Sequence, residues 1–396
     1  MSETAHSLTE LLQRVSSRRF LDVPPPEPRG LADSLAFPFL AMVGQSEMKL
    51  ALLLGLINPI LGGVLLIGPR GTGKTTAVRS LADLLPNAAR SRCAYGCLPE
   101  DIETGGLEAV CPDCARRYGE GEPLTYEDRV RLIELPLNAR LEDVIGGIDE
   151  RAAIHKRMRV SMGILARADR NLLYIDEVNL LDDEIIDAIL DAAAQGTYAV
   201  HRGPHSAIYW SRFILIGSMN PEEGRLRPQI LDRFGLRVIV KGLEAPQDRL
   251  EAYRRSVNFR QNPRQMLEQY QDATETARLE IEAARASLPE VGLSQDALSL
   301  GMDLIHSLKI DSLRAEITLF EAARAHAVAD SRSQAEATDI RTVAPMALRL
   351  RRSKFIERYL RLQAEEETEF DSLLGGLSPA AAGEEAPKPT AGQPEE

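Results

Sequence analysis

The sequence predicts an α/β fold, a parallel sheet with helices on both faces built around a glycine-rich loop and followed by an all-helical C-terminal domain. Three observations carry this. From Phe37 to about Leu243, short β-branched or Leu-rich runs (Val64–Ile67, Leu172–Ile175, Phe213–Ile216, Val238–Val240) alternate with helical segments, the pattern of a sheet buried on both sides. The first run leads into Gly68-Pro69-Arg70-Gly71-Thr72-Gly73-Lys74-Thr75-Thr76, which fits G-x-x-x-x-G-K-T between a strand and a helix. Residues 246–361 then become Ala-, Leu-, Arg- and Glu-rich, with helical periodicity and no convincing strand.

In chain order, residues 1–36 are polar, contain Pro24-Pro25-Pro26, and are expected to form an arm. They lack the apolar core of a signal peptide, so the chain is expected in the cytoplasm. The apolar stretch Ala51–Gly68 is long enough to span a membrane, but Asn58-Pro59 and Gly62-Gly63 interrupt it. It reads as a helix, a turn and a buried strand. A helix is expected over Thr75–Leu85 after the glycine loop. The α/β domain is placed at 37–245, the helical domain at 246–362 and a disordered acidic tail at 363–396. The tail carries −8 of the formal net charge of −12, so the folded body is close to neutral. That balance, with no basic stripe or recognition module, gives no support for nucleic-acid or membrane partners.

The glycine loop has the chemistry of a nucleoside triphosphate site. Successive backbone N–H groups and a helix N-terminus favour phosphate. Lys74 is expected to reach the β- and γ-phosphates, and Thr75 to ligate Mg²⁺. The strand Leu172–Ile175 ends in Asp176-Glu177, which assigns Asp176 to the Mg²⁺ shell and Glu177 to the attacking water. Asp182-Asp183 reads as a helix start. A third strand ends in Asn220, able to hold the lytic water or sense the γ-phosphate. Arg233 is placed to act on a neighbouring subunit's nucleotide, and Arg314, at the start of a helix in the second domain, to touch the same nucleotide.

All four cysteines fall in one window, Cys93-x₃-Cys97-x₁₃-Cys111-x₂-Cys114, inside an insertion at about 90–120. The spacing suits a structural Zn²⁺ held by four thiolates, with a redox-switching disulfide or inert thiols as alternatives. His155, His201, His205 and His306 have no ligand spacing, and Arg157-Met158-Arg159 reads as a solvated face.

Together these segments resemble the AAA+ ATPases, and within them the magnesium-chelatase I subunits and their MoxR-like relatives. The specific stretches are Gly163–Asp183, Gly217–Gly224 and Leu226–Leu236, with Val43-Gly44-Gln45 matching the element that packs near the adenine. The resemblance implies that Lys74, Thr75, Asp176 and Glu177 form the two nucleotide motifs. It makes Asn220 sensor 1, Arg233 the arginine finger and Arg314 sensor 2. It implies a helix-2 insert near 138–163, a hairpin at 197–211, and a hexameric ring. Its implied partners are a D-type subunit with AAA+ and von Willebrand A modules and a porphyrin-binding H-type subunit. The implied reaction is ATP-driven Mg²⁺ insertion into protoporphyrin IX, as in chlorophyll and bacteriochlorophyll biosynthesis. The segment after Leu135-Pro136 departs from the Thr-containing version of relatives, and the arm and tail are not family hallmarks. A second reading is therefore a cobaltochelatase-type or MoxR-like remodelling ATPase working with a von Willebrand A-type partner. A DNA-acting AAA+ protein lacks its recognition elements, and a scaffold without turnover is at odds with Glu177, Asn220 and Arg233.

Overall fold

Apolar runs of four to six residues gain most when both of their faces are covered, and here three of them lie beside two strands that each carry one charged residue, Glu134 or Arg237. The five strands are β1 (Val64–Ile67), β2 (Leu132–Leu135), β3 (Leu172–Ile175), β4 (Ile214–Met219) and β5 (Leu236–Ile239). Their order is β5-β1-β4-β3-β2, and every neighbouring pair is parallel. The computed structural model describes residues 35–149, 159–202, 205–224 and 226–351. The expectations for most of the arm, for the tail, and for His155 and Arg157 lie outside the described residues.

Helices α1 (Ser46–Ile57), α2 (Lys74–Arg79), α3 (Asp183–Gln195) and α4 (Pro228–Arg233) accompany the sheet. Helices α5 (Pro246–Gln261), α6 (Pro263–Ser287), α7 (Gln295–Ser307), α8 (Leu313–Ala329) and α9 (Ala337–Leu348) follow it. Alternation along the strands creates two cores. Leu66, Tyr174 and Ile216 point to one, which α1, α6, α8 and α9 close through residues such as Leu52, Ile281, Leu319 and Val343. Leu65, Leu173 and Leu215 point to the other, closed by Ile185, Ile186 and Ile189 of α3. The C-terminal helices thus share a core with the sheet. Among the described residues no helix is long and apolar enough to cross a membrane. The stretch Ala51–Gly68 is instead α1, a 3₁₀ turn at Pro59–Leu61 and β1, with Gly62 and Gly63 at positive φ between them.

The sequence reading differs from the structure in four places. It names four strands and overlooks β2, an edge strand whose exposed Glu134 pairs with Arg79 at 2.7 Å; a charge on an edge strand breaks the apolar signal. It starts the fourth strand at Phe213 and the fifth at Val238, whereas hydrogen bonding runs over Ile214–Met219 and Leu236–Ile239. The helix expected over Thr75–Leu85 stops at Arg79 and resumes as a 3₁₀ turn at Leu81–Leu84. There the Ser80 hydroxyl donates back to the carbonyls of Thr76 and Ala77 (3.2 and 2.8 Å), competing with helix propagation. In the helical region, Gly292–Leu293 pairs with Gln334–Ala335 as a two-residue parallel bridge, too short to leave a sequence pattern.

Polar anchors fix α8 and α9. Asp232, next to the end of α4, accepts from Ser312 Oγ (3.1 Å) and Arg351 Nη1 (2.9 Å), and Arg314 lies 3.5 Å away. The buried Arg351 guanidinium also reaches the carbonyl of Gly235 and the Thr318 hydroxyl, both at 3.1 Å. Asp339, fully buried at the start of α9, binds Arg332, His326 (2.6 Å) and the Glu336 amide (2.7 Å). Burial pushes its carboxyl up, but these donors prevail and hold it at about 2, below the ordinary 3.8. A lowered carboxylate pKa contributes stability above the unfolded value and loses it as pH falls through the folded one. We therefore expect about 2 kcal/mol of stability to disappear between pH 4 and pH 2. Thermal unfolding checks this: Asp339→Asn should flatten the acid limb, and a limb as steep as wild type would contradict it.

Candidate active site

The loop from Gly68 to Thr75 joins the C-terminal end of β1 to α2, which places it at that edge of the sheet. Gly71 and Gly73 adopt positive φ (78° and 87°), and a Cβ on Gly68 would sit 2.1 Å from the Val240 carbonyl oxygen. No residue but glycine fits there. The Gly68 amide donates to Met219 (3.1 Å) and that of Ala77 to Gly73 (2.9 Å). Since the Ala77 bond is the first of the helix Lys74–Arg79, the amides of Lys74, Thr75 and Thr76 ahead of it have no intrahelical acceptor. Such a run of unpaired amides entering a helix is what an anion needs, so the loop fits a phosphate chain. Lys74 is buried and donates to the carbonyls of Gly68 and Pro69, both at 2.7 Å. Burial lowers its pKa, and the carboxylates of Asp176, Glu177 and Glu223 pull it back up. Thr72 Oγ1 donates to the Pro69 carbonyl, and Arg70, Gly71 and Thr76 face solvent. Gln45 of Val43-Gly44-Gln45 donates to Lys241 O (2.6 Å), and Met42 reaches the Gly73 position (3.4 Å), so this segment borders the loop.

Parallel register brings the end of β3 beside the loop. Asp176 accepts from Tyr174 Oη (2.9 Å), the Ser218 hydroxyl and Thr75 Oγ1 (3.4 Å). Burial pushes the Tyr174 hydroxyl up, so it stays protonated and donating. Asp176 and Thr75 thus form a hard oxygen pair of the kind that suits Mg²⁺. Glu177 follows in the left-handed region (φ 52°), its amide held by Ser218 Oγ at 3.2 Å. Arg70 Nη2 bridges Glu177 (3.1 Å) and Glu223 (2.7 Å), and the buried Asn220 donates to Glu223 at 3.0 Å. Lys74, Thr75, Asp176, Glu177 and Asn220 therefore meet at one edge of the sheet.

Arg233 and Arg314 do not join them. Both line a cavity of about 670 Å³ with Gly62, Asn171 and Phe213, which precede β1, β3 and β4. That is the opposite edge of the sheet from the glycine loop. There Arg233 pairs with Asp191 (2.8 Å) and Asp187 (3.6 Å) of α3, while Arg314 leans on Asp232. What the two arginines share is a surface, remote from their own chain's loop.

Sequence reasoning overlooked Ser218, Tyr174, Glu223 and Asp232. Ser218 and Tyr174 are polar residues in otherwise apolar strands, at positions that flank Asp176 in the register, and that oddity could have marked them. Glu223 sits in a bend and Asp232 in the last turn of the short helix α4, and both announce themselves only through their partners.

A second cluster lies away from this site. The sulfurs of Cys93, Cys97, Cys111 and Cys114 are all within 4.8 Å of one another. Hydrogen bonds from Cys97 and Ser91 hold the Cys93 thiol well below the ordinary thiol range, while burial pushes the Cys114 thiol above it.

A magnesium-chelatase subunit ChlI homolog of Methanocaldococcus jannaschii is 43% identical over 323 residues, 81% of this chain and 87% of that protein. The chain belongs to the I-subunit family of magnesium chelatases. The ChlI subunit of Synechocystis is 40% identical over 81% of this chain and 89% of its own length. Residues 62–202 match the AAA domain family and residues 302–371 the AAA lid domain family. A putative ATPase of Cytophaga hutchinsonii shares the fold, at 21% identity, with a TM-score of 0.51 over 78% of this chain and 83% of that one. An I-subunit of this family is an AAA+ ATPase, and ATP with Mg²⁺ is its nucleotide requirement.

Proposed function

We propose that this chain is the ATP-hydrolysing motor subunit of a magnesium chelatase, working in a hexameric ring and driving Mg²⁺ insertion into protoporphyrin IX through D-type and H-type partners. One observation carries the reading: the nucleotide residues converge at one edge of the sheet, while Arg233 and Arg314 sit together at the other. A site split in this way is completed only by a second copy.

Within one chain, the loop ending in Gly73 presents the helix-entry amides of Lys74, Thr75 and Thr76 to the phosphates, and the Lys74 side chain supplies a fixed positive charge. Bound Mg²⁺, held by Thr75 and Asp176, supplies Lewis-acid neutralisation of the phosphate oxygens. Tyr174 and Ser218 orient Asp176. Glu177 polarises the attacking water, and Asn220, through Glu223 and Arg70, ties that carboxylate to the state of the loop. Arg233 exchanges Asp187 and Asp191 for the γ-phosphate of the next subunit, with Arg314 beside it. The exchange costs little, because both aspartates are about half exposed.

Reconstitution tests the assignment. Mixed with D- and H-type subunits, ATP, Mg²⁺ and protoporphyrin IX, the chain should yield the fluorescent Mg-porphyrin. Omitting the chain or ATP should abolish the product. Robust ATP hydrolysis with no metal insertion by the complete mixture would contradict the chelatase reading and favour a remodelling ATPase with another client.

A further inference from the structure

The insertion between α2 and β2 has almost no apolar core of its own. An antiparallel ribbon, Ala88–Ser91 with Thr125–Asp128, carries it away from the sheet. Its interior consists of Cys97, Ile102, Cys114 and Leu124, with Cys93, Val110 and Cys111 partly buried around them. Four of these seven residues are the cysteines. A segment of some thirty residues with four aliphatic side chains inside, the fourth being the buried Leu98, cannot offset the entropy of its own ordering; units of fewer than ~40 residues need a crosslink or a metal.

The sulfurs are arranged for a metal. Cys93 and Cys97 flank a turn closed by Gly96 at φ 78°. Cys111 caps the helix Pro112–Gly119 and Cys114 lies in its first turn. The two knuckles face each other, since all four sulfurs fall within 4.8 Å. A tetrahedral ion with metal–sulfur bonds of ~2.3 Å spaces its sulfurs ~3.8 Å apart, so a small contraction suffices. Donors already point at the sulfurs: the Cys111 amide at Cys97 Sγ across the knuckles (3.3 Å), and Ser91 Oγ at Cys93 Sγ (3.2 Å). Metal-bound thiolates take hydrogen bonds of this kind. Disulfides within each knuckle would close loops of a few residues and leave the halves unjoined, whereas one ion joins both.

We propose that Cys93, Cys97, Cys111 and Cys114 hold one structural Zn²⁺ that serves as the core of this insertion. On binding, four metal–sulfur bonds form, the thiol protons pass to solvent, and no electron moves; the site then carries two negative charges. The module is also a brace. Arg212 donates to the Gly96 carbonyl (2.6 Å) and to Asp101 (2.8 Å), and its backbone amide to Asp169 (2.8 Å). The Trp210 amide donates to Tyr95 (2.9 Å), and Tyr95 stacks on Tyr209 at 5.1 Å. The zinc knuckle therefore grips the foot of the hairpin Thr197–Arg202/His205–Trp210 and the turn that leads into β3, the strand ending in Asp176 and Glu177.

Elemental analysis of the full chain, purified under reductant without chelator, should give one zinc per chain. Replacing that zinc with Co²⁺ in the wild-type protein should produce the visible bands of a tetrahedral tetrathiolate site. The native thiols should react with a thiol reagent only after a chelator is added. Cys111→Ser with Cys114→Ser should lose the whole equivalent. Because that variant could misfold, the Co²⁺ spectrum and the thiol count are read on the wild type. A metal-free protein after exposure to Zn²⁺ under reductant, bound iron in its place, or four freely reactive native thiols would each overturn the proposal.

Discussion

Glu177→Gln should retain ATP binding and lose turnover by ~100-fold or more, the range that a positioned proton acceptor supplies. Gln has the shape of Glu and can keep one polar contact with Arg70, so the loop and Lys74 are left in place. It lacks the negative charge that polarises water. The side chain is poised for this role, because Ser218 fixes its amide and the left-handed backbone at φ 52° turns the residue off the strand axis. A non-glycine residue is held in that conformation only where its surroundings enforce it. Single-turnover hydrolysis and equilibrium binding of a fluorescent ATP analogue separate the two effects. Turnover near wild type would remove Glu177 from the mechanism.

Arg233→Ala should cut hydrolysis by ~10³-fold or more, the lower end of what an arginine finger contributes, without unfolding the chain. Its pairs with Asp187 and Asp191 are solvent-accessible, and exposed ion pairs of this sort contribute under ~1 kcal/mol to stability. Stability and activity should therefore separate: an unchanged melting temperature beside a collapsed rate. Nucleotide affinity measured on dilute, dissociated chains should not move, since Arg233 is remote from its own loop. A loss of affinity in the monomer would contradict the split site.

Much of this architecture is legible in the sequence because the signals are local. The loop Gly68–Thr75 must be glycine-rich to bend as it does, and Leu172–Ile175 is apolar because it is buried on both faces. The acid pair after it is as conspicuous in sequence as in space. The edge strand Leu132–Leu135 escapes notice because solvent tolerates Glu134 there. The relation between the two arginines and the glycine loop is likewise hidden. Arg233 and Arg314 are 81 residues apart in the chain, and only the docking of α8 beside α4 through Asp232, Ser312 and Arg351 brings them together. The bridge from Arg70 to Glu177 and Glu223 spans three loops, so no spacing rule could reveal it. The cysteines lie between these extremes: their spacing suggested one metal site, and the fold adds the hairpin and the turn that the knuckle holds.

The central claim is that each ATP site is built from two chains, and subunit mixing tests it most directly. Lys74→Ala chains lack a working loop and Arg233→Ala chains lack the arginine, so each alone should be inactive. Mixed, some interfaces join an intact loop to an intact Arg233, and hydrolysis should return, peaking at intermediate ratios. No recovery at any ratio, with mixed assemblies verified by mass, would contradict the shared site.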